Sequence, residues 1–151
     1  MSRRHRPAPE LFQAALDGDR SALARLLSMI ERGDDDARVI GRLAYPLSGS
    51  GYTVGMTGAP GAGKSTLTSS LIGHLRAQEL EIAVLAIDPS SPFTGGAILG
   101  DRVRMQDHAT DPGVFIRSMA TRGHLGGLSL ATPEAVRVLD AIGRKWILVE
   151  T

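Results

Sequence analysis

The stretch G-A-P-G-A-G-K-S, Gly58 to Ser65, constrains this chain more than any other. Its spacing is that of a glycine-rich turn whose successive backbone N–H groups point inward and form a nest for an anion. Gly58 and Gly63 permit backbone dihedrals and a close approach that a Cβ would block. Lys64 supplies a mobile cation for the β- and γ-phosphates and is expected to be exposed when no nucleotide is bound. Ser65 offers a hydroxyl to Mg²⁺, and the following helix adds its N-terminal dipole. Such a loop needs a strand before it and a helix after it. "YTVGMT" (Tyr52 to Thr57) is a β-branched, apolar run bounded by "SGSG" and reads as a buried strand. "KSTLTSSLIGHLRAQE" (Lys64 to Glu79) places Leu67, Leu71 and Leu75 at helical spacing. An ordinary glycine turn is the weaker reading because both flanking elements are present.

A chain of 151 residues amounts to one domain and can bury a sizeable core. A formal net charge of +1, with basic and acidic residues interleaved, gives no argument for nucleic acid. Arg3, Arg4 and Arg6 could form a binding arm, but a solvated terminus is the simpler account. The absence of cysteine leaves neither a disulfide framework nor a thiolate metal site, which suits a reducing compartment. There is no apolar run of membrane-spanning length and no secretory signal, so a cytoplasmic protein that binds no membrane is expected.

Organisation changes near residue 50. Before it, Leu16, Leu23, Leu26, Leu27 and Ile30 recur at helical intervals, with "DGD" as a cap between two helices and "RGDDD" as the next break. Residues 1–50 are therefore expected to form a helical arm. After Gly51 strands and helices alternate: "IAVLAI" (Ile82 to Ile87), "VFIRSM" (Val114 to Met119), a helix from about Pro133 to Gly143, and "WILVE" (Trp146 to Glu150). Alternation of this kind implies an α/β domain over 51–151, a doubly wound and mainly parallel sheet whose ligands bind at the carboxyl ends of the strands.

That geometry sorts the acidic residues. Asp88 closes "IAVLAI" and Glu150 closes "WILVE", so both carboxylates are expected on the edge where the glycine-rich loop lies. A carboxylate at the end of an apolar strand is costly to leave unpaired, and Mg²⁺ with its waters is the partner a nucleotide site provides. Asp88 before Pro89 also suits a helix N-cap or a surface turn. Asp101 in "GDRVRM" equally resembles the capped start of a helix. None of His5, His74, His108 or His124 has a partner at metal-ligand spacing, and each reads as a surface or packing residue.

Taken together, "GMTGAPGAGKSTL", "VLAIDPSSPFTGGAILGDRVRM" and "ILVET" resemble the methylmalonyl-CoA mutase-associated GTPases, the MeaB/ArgK/MMAA family of metallochaperone-like P-loop GTPases. The likeness runs from the helical arm to Thr151, and its central segment is far more specific than the P-loop. It implies a nucleotide cradle of Gly58, Ala59, Pro60, Gly61, Ala62, Gly63, Lys64, Ser65 and Thr66. The resemblance further implies a Mg²⁺ site of Ser65, Asp88, Asp101 and Glu150, with Lys64, Asp101 and Glu150 serving catalysis. Asp88 to Arg104 corresponds to switch I, and Glu150 with Thr151 to the first two positions of the E-x-x-G of switch II. "TRGHLGGL" (Thr121 to Leu128) follows a strand end, where proximity to the nucleotide and a plain connecting loop are equally good readings.

GTP or GDP is the implied ligand, with an adenosylcobalamin-dependent acyl-CoA mutase as partner and a homodimer in the full-length family. Relatives continue beyond the position of Thr151 through the N-K-x-D loop that reads guanine and the remaining strands. The strand ending at Glu150 is accordingly expected to lack neighbours and to stand at an exposed edge. Two other classes stay open. One is a P-loop kinase or ATPase of the lysine/arginine/ornithine transport label, which would need a phosphoryl acceptor. The other is a non-hydrolysing fragment that only docks on a mutase.

Overall fold

The computed structural model describes residues 6–59, 63–88, 108, 110–120 and 131–151. Switch I beyond Asp88, including Asp101, and the "TRGHLGGL" stretch lie outside the described residues, as do Pro60, Gly61 and Ala62. The chain divides into two compact units, one of residues 1–50 with 131–143 and the other of residues 51–130 with 144–151.

The first unit is helical. It holds α1 (Ala8–Leu16), α2 (Arg20–Arg32), α3 (Asp36–Ala44), a short 3₁₀ turn (Tyr45–Leu47) and α5 (Thr132–Ala141). Local chemistry sets its boundaries. The Asp19 carboxylate caps α2 by accepting the N–H groups of Ser21 and Ala22 at 2.9 and 3.1 Å, as the "DGD" signal predicts. Gly33, at φ 71°, ends the same helix in the left-handed conformation that favours glycine. Leu23, Leu26, Leu27 and Ile30 are buried as their spacing requires, together with Leu11, Phe12, Ile40 and Leu139. The helix expected near the end of the chain, α5, packs with α2 and α3 in this unit. Its Asp140 carboxylate accepts the N–H groups of Gly49 and Ser50 at 2.6 and 3.2 Å, which fixes the "SGSG" segment.

The second unit is the parallel sheet. It contains β1 (Tyr52–Met56), α4 (Lys64–Ala77), β2 (Ile82–Asp88), β3 (Val114–Ala120) and β4 (Trp146–Glu150). The strand order is β1-β4-β2-β3 with every pairing parallel. The strand ending at Glu150 is therefore not an edge: β4 is hydrogen-bonded to β1 on one side and to β2 on the other. Its run of buried Ile147, Leu148, Val149 and Glu150 fits an interior parallel strand. Among the described strands the edge positions belong to β1 and β3. This also corrects the reading of "YTVGMT" as buried, since Tyr52, Thr53 and Gly55 are exposed and β1 pairs with β4 alone.

Helix α4 packs on β2 and β4. Its buried stripe is Thr68, Ile72 and Leu75, with Leu71 only partly covered and Leu67 61% exposed. Leu75 is thus buried as its spacing suggests, while at the two earlier turns the buried position is the next residue along, Thr68 in place of Leu67 and Ile72 in place of Leu71. Ile72 and Leu75 meet Ile82, Val84, Val114 and Leu148 in one apolar cluster. At the far end of the sheet, Arg76 donates to both carboxylate oxygens of Asp111 at 2.8 and 3.0 Å, and Asp111 also accepts the Gly113 N–H at 2.9 Å. A Cβ on Gly113 would run into the Arg76 guanidinium, so a larger residue there would have to push the arginine aside from Asp111. Buried Arg144 donates to the Gly113 carbonyl at 3.2 Å and secures the same corner.

Candidate functional site

The P-loop site stands where the carboxyl ends of β1 and β4 meet the start of α4. Met56 ends β1, Thr57 to Ala59 leave the sheet as exposed chain, and Gly63 enters α4 at φ 87°. That angle is the left-handed conformation that only glycine adopts without strain, which accounts for the glycine before Lys64. The first-turn N–H groups of a helix lack intrahelical acceptors. In α4 no side chain caps them and no acidic residue stands in the first turn. Each of the other described helices has either an acidic first-turn residue or a capping aspartate. The start of α4 is thus left electropositive, the condition a phosphate needs.

Lys64 is half-buried rather than exposed and has no carboxylate partner among the described residues. Its carbonyl is held in the first turn, where Thr68 Oγ1 donates to it at 2.9 Å. Thr66 is exposed one position further on.

The decisive contact joins two residues 85 positions apart, with Ser65 Oγ donating to Glu150 Oε1 at 2.9 Å. Glu150 is only 5% exposed, and its second oxygen, Oε2, is buried without a hydrogen-bond partner among the described residues. An unpaired buried carboxylate oxygen is costly, and a divalent cation relieves that cost. The pair fits Mg²⁺: oxygens about 2.1 Å from an octahedral ion and at right angles to each other are roughly 3 Å apart. Asp88 is described by its backbone alone. It lies two residues beyond Ala86, the β2 partner of Glu150, on the same edge of the sheet. Ser65 and Glu150 are therefore brought together, Asp88 is placed beside them by register, and Asp101 lies outside the described residues.

Two neighbouring interactions carried no signal in the sequence. The Thr151 N–H donates to the Met56 carbonyl at 3.0 Å, clamping the end of β4 to the residue where the P-loop begins. His108 Nε2 stands 3.1 Å from both the hydroxyl and the carbonyl of Ser69, which fixes the position of that residue against α4. In the first the Thr151 hydroxyl also donates to the same carbonyl at 3.4 Å, and the second is a packing histidine of the expected kind. His74 pairs with Gln78 on the helix surface, while His5 and His124 lie outside the described residues.

A sequence model of the family described as methylmalonyl Co-A mutase-associated GTPase MeaB matches residues 23–151. The chain belongs to this family. A putative GTPase of Pyrococcus abyssi is 60% identical over 142 residues, covering 94% of this chain and 44% of the relative. A fused isobutyryl-CoA mutase of Cupriavidus metallidurans is 39% identical over 150 residues, covering 97% of this chain and 14% of that protein. Among solved structures, a LAO/AO transport system kinase superposes with a TM-score of 0.72 at 26% identity, covering 95% of this chain and 42% of the other. The fold is accordingly that of a P-loop GTPase. This MeaB-family chain spans less than half the length of the Pyrococcus relative and of the solved structure.

Proposed function

We propose that the MeaB-family protein to which this chain belongs is a Mg²⁺-dependent GTP-binding and GTP-hydrolysing chaperone. Its client is an adenosylcobalamin-dependent acyl-CoA mutase, which it assists in cofactor loading and protection. The observation that carries the nucleotide part is the Ser65–Glu150 contact, because it joins the P-loop hydroxyl to a buried, half-paired carboxylate at the head of α4. The partner class rests on the family description and on the relative that carries a matching segment fused to a mutase.

Within this reading, residues 51–151 are the N-terminal part of a GTPase domain and 1–50 a helical arm. The site residues divide the work. The Gly58–Gly63 loop and the first N–H groups of α4 bind the phosphates, and Lys64 lays its ammonium against the β- and γ-oxygens. Ser65 and Glu150, with Asp88 and Asp101, would hold the cation directly or through water. A Mg²⁺ ion held by these residues would supply charge neutralisation for the phosphoryl oxygens. Because Thr151 is tied to the Met56 carbonyl, movement at the end of β4 is transmitted to the base of the P-loop. That linkage suits a switch whose state reports the γ-phosphate. The reading also places the complete protein in the cytoplasm as a homodimer. No helix among the described residues is long and apolar enough to cross a membrane.

Likeness to the solved LAO/AO transport system kinase favours one alternative, a kinase, in which the γ-phosphate passes to an acceptor other than water. Titrating the protein with GTP, GDP and ATP, with and without Mg²⁺, and following inorganic phosphate separates these readings. Phosphate release that depends on Mg²⁺, prefers GTP and needs no added acceptor supports the GTPase. Triphosphate binding with no phosphate released in any length of the protein would defeat it.

A further inference from the structure

The helical unit carries a second concave surface, remote in chemistry from the phosphate cradle and unused by it. An open groove of about 630 Å³ is lined by Arg38, Gly41, Arg42 and Tyr45 on the α3 side and by Glu134 and Arg137 of α5. All of these residues belong to the helical unit. Three guanidiniums face one carboxylate here, in a chain whose overall formal charge is only +1. Glu134 is already engaged, accepting from Arg137 at 3.5 Å. Arg38 and Arg42 are exposed, one helical turn apart, and neither has an ion-pair partner among the described residues. Glu134 therefore offsets Arg137, while Arg38 and Arg42 bring positive charge to the groove that no ion pair among the described residues takes up.

Its apolar component is equally unusual for an isolated surface. Tyr45 is 69% exposed, and the Arg137 guanidinium stands 5.5 Å from its ring centroid. Exposed tyrosine held under arginine is the composition of interface anchors, since both present large, rigid contact area with a polar end. Leu47, two residues on, is 49% exposed. Gly41 keeps the groove open: an ideal Cβ there would come within 3.3 Å of Glu134 Oε2. The groove follows α3 from residue 37 to Tyr45, roughly 12 Å at 1.5 Å per residue. That length suits a turn or two of polypeptide and exceeds what one phosphate spans.

We propose that this groove is a docking surface for an acidic polypeptide segment of a partner protein. Its carboxylates pair with Arg38 and Arg42, and an apolar side chain rests against Tyr45. Guanidinium–carboxylate pairs can be bidentate, which gives such a site orientation as well as attraction. The inference is independent of the nucleotide reading, since no groove residue takes part in the phosphate site.

The test is fluorescence anisotropy of a short labelled helical peptide of Glu, Asp and Leu, against the same peptide with Gln and Asn in place of the acids. The intact chain should prefer the acidic peptide by about tenfold or more, and affinity should fall steeply with added salt. Arg38→Gln with Arg42→Gln should lower affinity for the acidic peptide by about tenfold. Tyr45→Ala should weaken both peptides, with thermal unfolding and Mg²⁺-nucleotide binding unchanged in every variant. Equal binding of the two peptides, indifference to the double arginine change, or displacement of the peptide by inorganic phosphate or anionic vesicles would overturn the proposal.

Discussion

At the scale of single residues, Lys64 and the Ser65–Glu150 pair separate two kinds of work. In the proposed reading Lys64 is the cation for the phosphates, and charge-assisted contacts of this type are worth about 1.5–3 kcal/mol each. Lys64→Ala should therefore weaken triphosphate binding by roughly 10- to 100-fold while leaving the thermal midpoint in place. Isothermal titration with the unfolding curve of the same sample checks both halves, and unchanged affinity would remove Lys64 from the site. In the same reading Glu150 acts through the metal. Glu150→Gln keeps the shape and a hydrogen bond with Ser65 but loses the charge that suits a divalent ion. It should reduce Mg²⁺-dependent hydrolysis in the complete protein far more than Mg²⁺-free GDP binding, and Asp101→Ala should do the same. An equal loss of GDP affinity without Mg²⁺ would make Glu150 a structural residue. The candidacy of Ser65 and Glu150 was legible because a strand-terminal acid and a P-loop serine have few reasons to coexist. Their direct contact was not, since it depends on which strand lies beside β1.

Elements show where periodicity stops being informative. In α4 the leucines at 67, 71 and 75 advertise a stripe, yet Ile72 is fully buried and Leu67 largely exposed. Two adjacent apolar rows were available, and only the placement of β2 and β4 beneath the helix chose between them. The consequence is a paired outcome: Ile72→Ala should cost about 2–5 kcal/mol by leaving a cavity, whereas Leu67→Ser should stay within roughly 0.5 kcal/mol of the parent. Chemical denaturation measures both, and a large loss at Leu67 would contradict the packing. The corner before β3 predicts a pH effect. Hydrogen bonds from Arg76 first, and then from the Gly113 N–H, hold the Asp111 carboxyl below its ordinary range. A depressed carboxylate stabilises the fold at pH above its unfolded value, and that contribution disappears as pH falls through the lower folded one. Asp111→Asn should destabilise the protein at neutral pH and flatten the acid limb of the stability–pH curve. A parallel curve for the variant would mean that the pair contributes nothing.

For the molecule as a whole, strand order decides which expectations survive. A single sequence marks each strand but says nothing of its neighbours, because parallel pairing is made across long crossovers and leaves no local signature. The placement of β4 between β1 and β2 moves the edge away from Glu150, to β1 and β3 among the described strands, with β1 the one that exposes Tyr52 and Thr53. Self-association of the 151-residue chain should accordingly run through Tyr52 and Thr53, and Thr53→Lys should reduce it in sedimentation experiments. It also changes what the 151 residues can do with nucleotide. Lys64 and Ser65 open α4 and a buried Glu150 ends the paired strand β4 beside them, so phosphate affinity has a structural basis. The sequence holds no N-K-x-D loop with which to read a base. Discrimination between bases comes from buried groups left unpaired by the wrong one, and a site without such groups cannot make that distinction. The 151-residue chain should bind GTP and ATP weakly, with affinities within about threefold of each other, and hydrolyse neither at a useful rate. Parallel titrations with both nucleotides and a phosphate-release assay decide the matter. A marked preference for GTP, or steady turnover, would show that base recognition resides in the first 151 residues after all.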